Sequence, residues 1–196
     1  MEPIILASTS PRRQEILKSL NIPFIVSPSD IEEAYPESLE KEKIPEYLAQ
    51  KKVEAVLSHF DPEQKISWIL GADTIILHHG KVYGKPESQE QAEQFLRDFQ
   101  GQTHEVITSM ALYNGIKNRI TTRKSINLVT FTPMSDKEIT WYAETGEWHG
   151  AAGGYRIQSL ASCFIEKIEG TLSSVMGLPI FDLYDMLKQQ NYSVIE

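Results

Sequence analysis

The chain has one cysteine among 196 residues, Cys163, so no disulfide can form within it and the sequence reads as that of an intracellular protein. Cys163 lies in the apolar run Leu160 to Ile165 and is expected to be a core thiol. Also missing is any apolar run near the ~20 residues that a membrane helix needs. No charged leader and apolar segment precede the first strand pattern, so the cytoplasm is the expected location and no membrane partner is expected. No Lys/Arg run exceeds two residues and the net charge is −8, which excludes the broad basic footprint of a nucleic-acid binder. A small anion held by a few local cations remains open. Neither Gly-x-x-x-x-Gly-Lys-[Ser/Thr] nor Gly-x-Ser-x-Gly occurs, which removes the P-loop and the hydrolase elbow.

What is present is enough for one substantial core: 41% of the residues are hydrophobic, and no repeat or low-complexity segment interrupts them. The expectation is a single domain over residues 1–196, in two lobes at most. Pro3 to Ala7 reads as a strand, and Ile16, Leu17 and Leu20 as the apolar stripe of a helix, with Ser10 as N-cap and Pro11 in its first turn. Phe24 to Val26 reads as a short strand, Ser27 to Lys43 as a loop with acids, and Pro45 to Phe60 as a helix of about four turns. Trp68 to Leu77 is a long apolar strand broken only by Gly-Ala-Asp-Thr, returning through a hairpin at His79-Gly80. Ser88 with Gln91 and Ser135 with Glu138 are capping-box patterns. Between those helices lie strands at about Glu105 to Tyr113 and Arg119 to Phe131, joined at Asn114-Gly115. A glycine loop, a strand from Cys163 to Ile168 and a helix starting near Pro179 complete an alternating pattern, so the fold class is α/β with a mixed sheet.

The segment Ser8 to Arg13 joins a strand to a helix and places Arg12 and Arg13 in the first turn, where the helix dipole disfavours cations unless an anion binds. It is either a phosphate cradle or a solvated basic turn. Asp73 is the sharpest candidate, because a carboxylate inside a core strand must be paired, metal-bound or open to a cleft. Its alternative role is a structural carboxylate satisfied by backbone N–H groups. Glu33 could be a second carboxylate for magnesium, which needs only one or two beside phosphate oxygens, or a solvated loop acid. Lys85, on the Gly84-Lys85-Pro86 turn, could approach the same cleft or simply be exposed. Gln158, read as an amide at a strand end, can present one donor and one acceptor to a base edge, or be a buried structural amide. His78 and His79 read as exposed turn residues rather than metal ligands.

Seven segments in order resemble the Maf family of nucleoside triphosphate pyrophosphatases: Leu6 to Arg13, Gly71 to Thr74, Gly84 to Pro86, Gly101 to His104, Thr145 to Glu147, Ala152 to Gln158, and Glu169-Gly170 through Val175 to Pro179. They span nearly the whole chain. The resemblance implies an elongated mixed sheet with flanking helices, its two lobes around a nucleotide cleft, as in the inosine triphosphatases. It implies hydrolysis of a nucleoside triphosphate to monophosphate and pyrophosphate with a divalent cation, Mg2+ or Mn2+, as house-cleaning of the nucleotide pool, and it admits a homodimer. Residue by residue, Asp73 would be the catalytic carboxylate and a metal ligand, and Glu33 would help hold metal. Ser8, Arg13, Lys52 and Lys85 would surround the triphosphate. Arg12, Thr74 and Gln158 match the branch that prefers dTTP and UTP.

Departures from that branch lie at Gly150, Ala151, Arg156 and Ser159, and at Leu172 and Ser174, beside the expected nucleoside end. They leave room for CTP or modified pyrimidines. The competing reading is a non-catalytic, nucleotide-sensing regulator of cell division, against which stands a carboxylate placed within a core strand.

Overall fold

The computed structural model describes residues 1–61 and 63–194. The strands are β1 (Ile4–Leu6), β2 (Phe24–Val26), β3 (Trp68–His78), β4 (Lys81–Tyr83), β5 (Thr103–Asn114), β6 (Arg119–Phe131) and β7 (Ile165–Glu169). The helices are α1 (Pro11–Ser19), α2 (Ile44–Leu57), α3 (Gln89–Phe99), α4 (Asp136–Glu144), α5 (Leu172–Val175) and α6 (Ile180–Gln189). The strands form one sheet in the order β2-β1-β3-β5-β6-β7, with β4 paired to β3. Pairing is parallel for β1 with β2 and with β3, and antiparallel for β3 with β4 and β6 with β7, so the sheet is mixed, as the alternating pattern predicts.

Local chemistry sets the element ends. The β3–β4 hairpin turns on His79 and Gly80, both with positive φ (46° and 71°), the backbone that a two-residue turn matching strand twist requires. Helix α1 ends at Asn21 in the left-handed region, with Ile22 N–H donating to the Leu17 carbonyl and Asn21 N–H to that of Lys18. Helix α6 repeats the motif at Asn191, where Tyr192 N–H reaches the Leu187 carbonyl. The capping box at Ser135 and Glu138 is complete. At Ser88 only half of it forms: the Ser88 hydroxyl accepts from Gln91 N–H, while the Gln91 amide oxygen accepts from Glu87 N–H instead.

The chain divides into two compact units: Met1–Asp73, Thr108–Ser125 and Gly177–Glu196 make the first, and Thr74–Ile107 and Ile126–Met176 the second. Each has its own apolar core. In the first, Ala7, Ala49, Val53, Val56, Ile69, Ala111 and Tyr113 pack together, joining β1, α2, β3 and β5. In the second, aromatic residues dominate: Phe99 contacts Tyr83, His104, Phe131 and Tyr155 at ring separations of 4.4 to 6.3 Å.

Three sequence expectations are corrected here. Residues 160–164 form a 3-10 helix ahead of β7 rather than its beginning, and Cys163 is exposed on it, because the short helix turns Ala161 and Phe164 inward instead. His78 is buried: it is the last residue of β3, packed edge-on to Phe99, and only His79 occupies the exposed turn. Ser10 stands at the N-cap of α1 but its side chain makes no capping bond; its N–H donates to the Ser8 hydroxyl at 3.2 Å.

Candidate active site

Gly71 explains how the central charges meet. A Cβ there would lie 2.5 Å from the Ala49 carbonyl oxygen and 2.8 Å from a Val53 methyl, so α2 lies directly against β3 at this point. Lys52, on that turn of α2, reaches the strand two residues further on, and its Nζ donates to Asp73 Oδ1 at 2.5 Å. The same ammonium donates to Glu33 Oε1 at 2.9 Å, which fastens the irregular loop to the helix. Lys52 and Asp73 are buried, whereas the Glu33 side chain is 43% exposed and can exchange partners without unfolding anything.

Arg13 supplies the second buried cation. Its Nε donates to the Gly177 carbonyl at 2.9 Å and its Nη1 to the Ser8 hydroxyl at 3.0 Å. Within the turn at the start of α1, Arg13 is therefore turned inward, while Thr9 and Pro11 are exposed and Arg12 is half-buried. Burial lowers the Arg13 pKa, while the nearby charges of Asp73 and Glu33 oppose that shift. Burial likewise raises the Asp73 carboxyl above its ordinary range, Lys52 and Arg13 pull it down, and Glu33 adds to the rise. Two cations face two carboxylates in a largely dry site, so the cluster is close to neutral and each charge has partners.

A carboxyl raised by burial is more basic than one in water, and this one is held in place by the Lys52 ammonium, a combination suited to accepting a proton from a bound water. The two carboxylates also converge on one point, now taken by the Lys52 ammonium. Two carboxylates beside phosphate oxygens are the donor set that a hard divalent cation takes, so the residues fit Mg2+ or Mn2+. Among the described residues no group of three or more His, Cys, Asp and Glu side chains could hold a metal by itself.

Ser8, Arg13, Glu33, Lys52 and Asp73 are thus brought together within the first unit, with the half-buried Arg12 beside Arg13 on α1. Thr74, Lys85 and Gln158 belong to the second. Thr74 is half-buried on β3; Lys85 is exposed in the segment after β4. Gly153 N–H donates to the Gly84 carbonyl at 2.8 Å, and a Cβ on Gly154 would sit 3.3 Å from the Pro86 ring, so the glycine turn and the Lys85 segment pack at their roots. Gln158 is exposed at the corner of a turn, not at a strand end and not a buried structural amide. Gly177 escaped the sequence reading as a functional position. Its φ of 103° is the one available signal, a glycine whose backbone frees a carbonyl for Arg13.

A buried carboxylate bonded to a lysine ammonium, with a second carboxylate on the same ammonium and a buried arginine nearby, makes a concentrated charge cluster in this fold. The chain matches the family described as Maf-like protein over residues 3–190, and it belongs to that family. It is 39% identical over 195 residues to the dTTP/UTP pyrophosphatase of Desulforamulus reducens, covering 100% of both chains. It is 40% identical over 191 residues to the dTTP/UTP pyrophosphatase of Hydrogenovibrio crunogenus, covering 96% of each. Among solved structures, the Ham1 protein of Staphylococcus aureus superposes with a TM-score of 0.55 at 11% identity, over 97% of this chain and 100% of that one. That likeness shows the fold alone. No helix among the described residues is long and apolar enough to cross a membrane.

Proposed function

We propose that the protein hydrolyses nucleoside triphosphates, dTTP and UTP foremost, to the monophosphate and pyrophosphate. The observation that carries this reading is the buried Asp73–Lys52–Glu33 arrangement, with Asp73 Oδ1 2.5 Å and Glu33 Oε1 2.9 Å from one ammonium. The names of its relatives supply the substrate class.

In this mechanism Asp73 orients the attacking water and takes its proton as the water adds to the α-phosphorus. Arg13, fixed by Ser8 and Gly177, and Lys52, fixed by Asp73, offset the charge that grows on the departing pyrophosphate. Their value lies in being already in place, so little reorganisation remains at the transition state. Glu33 and Asp73 would hold the divalent cation, whose chemistry is to neutralise phosphate charge as a Lewis acid. Arg12, Ser8 and Lys85 serve the triphosphate, and Thr74 and Gln158 the base. A cytoplasmic, single-domain enzyme acting on free nucleotides completes the reading.

Specificity constants for dTTP, UTP, CTP, ATP, GTP and 7-methyl-GTP with magnesium test it. The expected series has dTTP and UTP at its head. A purine at the head overturns the pyrimidine assignment, and no turnover with any of them overturns the enzymatic one.

A further inference from the structure

Gln158 projects from a β-turn in which Ser159 N–H donates to the Arg156 carbonyl at 3.1 Å. The two corner residues part company: Ile157 is buried in the second unit's core, and Gln158 is exposed. An exposed amide is fixed in space only as well as the ends of its turn are, and base readout by one donor and one acceptor tolerates little angular error.

The two ends of this turn are held separately, and a carboxylate holds the second. After the corner, Glu147 accepts from the Ser159 hydroxyl through Oε1 and from Leu160 N–H through Oε2, the latter at 3.2 Å. Before the corner, Arg156 N–H donates to the Tyr142 hydroxyl at 3.1 Å. The anchor is itself held: Tyr142 is fully buried, and Glu147 N–H donates to the Thr145 hydroxyl at 3.2 Å. The Arg156 side chain adds a bond from Nη2 to the His149 carbonyl at 3.0 Å, which ties the same turn to the segment just after Glu147.

We propose that Glu147 is a positioning residue for base discrimination: its carboxylate clamps the Ser159–Leu160 end of the turn, whose Arg156 end Tyr142 and His149 hold, and so fixes the donor and acceptor of Gln158. This rests on the assignment of Gln158 to the base. Glu147 touches no phosphate in this account, so its loss acts on which base is favoured and leaves the charge cluster at Asp73 as it is.

The test compares kcat and KM for UTP and GTP, with magnesium, in the wild type, Glu147→Gln, Ser159→Gly, Gln158→Ala and the Glu147→Gln/Gln158→Ala double variant, alongside their melting temperatures. Glu147→Gln keeps the shape but loses one acceptor oxygen and the charge. It is expected to lower the UTP-to-GTP ratio of kcat/KM about tenfold, chiefly through a higher KM for UTP. Ser159→Gly cuts one arm of the clamp, leaves the Leu160 N–H arm, and is expected to lower the ratio about threefold; it reads the proposal even if Glu147→Gln folds poorly. In the double variant Glu147→Gln adds nothing to the loss caused by Gln158→Ala, because both remove the same contact. A Gln158→Ala that collapses the ratio beside a Glu147→Gln and a Ser159→Gly that preserve it overturns the proposal. So does a fall in melting temperature and in both substrates' kcat/KM with the ratio unchanged, the result of a merely structural role. If Gln158→Ala itself leaves the ratio intact, the assignment of Gln158 to the base fails and the clamp fails with it, whereas the pyrophosphatase reading stands.

Discussion

Lys52 does two jobs at the residue scale, and they can be separated by pH. Its ammonium opposes the rise that burial gives the Asp73 carboxyl and holds Glu33 against the site. Removing the charge in Lys52→Met takes away the largest influence that keeps the Asp73 carboxyl down, so that carboxyl rises further. The proposed mechanism uses Asp73 deprotonated, so on that mechanism the acid limb of the kcat/KM profile is expected to move to higher pH in Lys52→Met. The maximal rate is expected to drop about tenfold or more, as for the loss of a transition-state charge contact. An acid limb that stays in place or moves to lower pH would show that Asp73 is not the group that titrates. The sequence showed Asp73 clearly, because a carboxylate inside Trp68 to Leu77 has few acceptable explanations. It offered Arg13 as a phosphate-cradle cation and, through the family resemblance, placed Arg13 and Lys52 around the triphosphate, but local patterns did not show that either side chain is buried beside Asp73. That Arg13 turns inward depends on the carbonyl of Gly177, 164 positions away, and no local pattern carries such a contact.

Elements set the precision of the site, and Gly71 is where that can be felt. Gly71→Ala places a methyl group 2.5 Å from a backbone oxygen of α2, so the helix must shift away from β3. Overpacking of this kind costs about 1–3 kcal/mol. The expected result is a lower urea midpoint with an unchanged slope, together with a fall in kcat as Lys52 is drawn from Asp73. Full activity at wild-type stability would mean that the close approach of α2 is dispensable. The second unit offers an independent check at His104, which is buried against Phe99, with Nε2 2.8 Å from the Tyr155 hydroxyl. Burial, aided by the charge of His78, depresses its pKa from 6.5 to about 3. The native state therefore takes up this proton less readily than the unfolded chain. Its contribution to stability is whole above about pH 6.5 and is lost as pH falls from there toward 3, by up to ~1.4 kcal/mol per pH unit. His104→Gln should flatten that part of the stability profile, as read by urea unfolding across the range. An unchanged slope would assign the acid sensitivity elsewhere. Elements themselves were largely legible, since turns such as His79-Gly80 and caps such as Ser135 with Glu138 are written locally. The failures, buried His78 and exposed Cys163, arose where tertiary packing decided which side of a short element faces inward.

Over the whole molecule, the two compact units could not have been read as a boundary. Each is assembled from separated stretches of chain, with β3, β5 and β6 contributing residues to both, so no linker or shift in composition marks them. The net charge of −8 is equally uninformative about the site. It repels a triphosphate at a distance, and salt screens that repulsion beyond ~8 Å under physiological conditions. The cations that the proposed function assigns to the triphosphate, Arg12, Arg13, Lys52 and Lys85, are few, and the composition averages them away. The account stands or falls on what these groups and Asp73 do to a phosphoanhydride. The direct measurement is hydrolysis of UTP with magnesium in oxygen-18 water, with products separated and weighed, for the wild type and for Asp73→Asn. The account predicts UMP and pyrophosphate, heavy oxygen in UMP alone, and a rate in Asp73→Asn lower by a factor of about 10² to 10⁴, the range for a lost general base. Release of UDP and orthophosphate, heavy oxygen in pyrophosphate, or an Asp73→Asn variant that turns over like the wild type would contradict it.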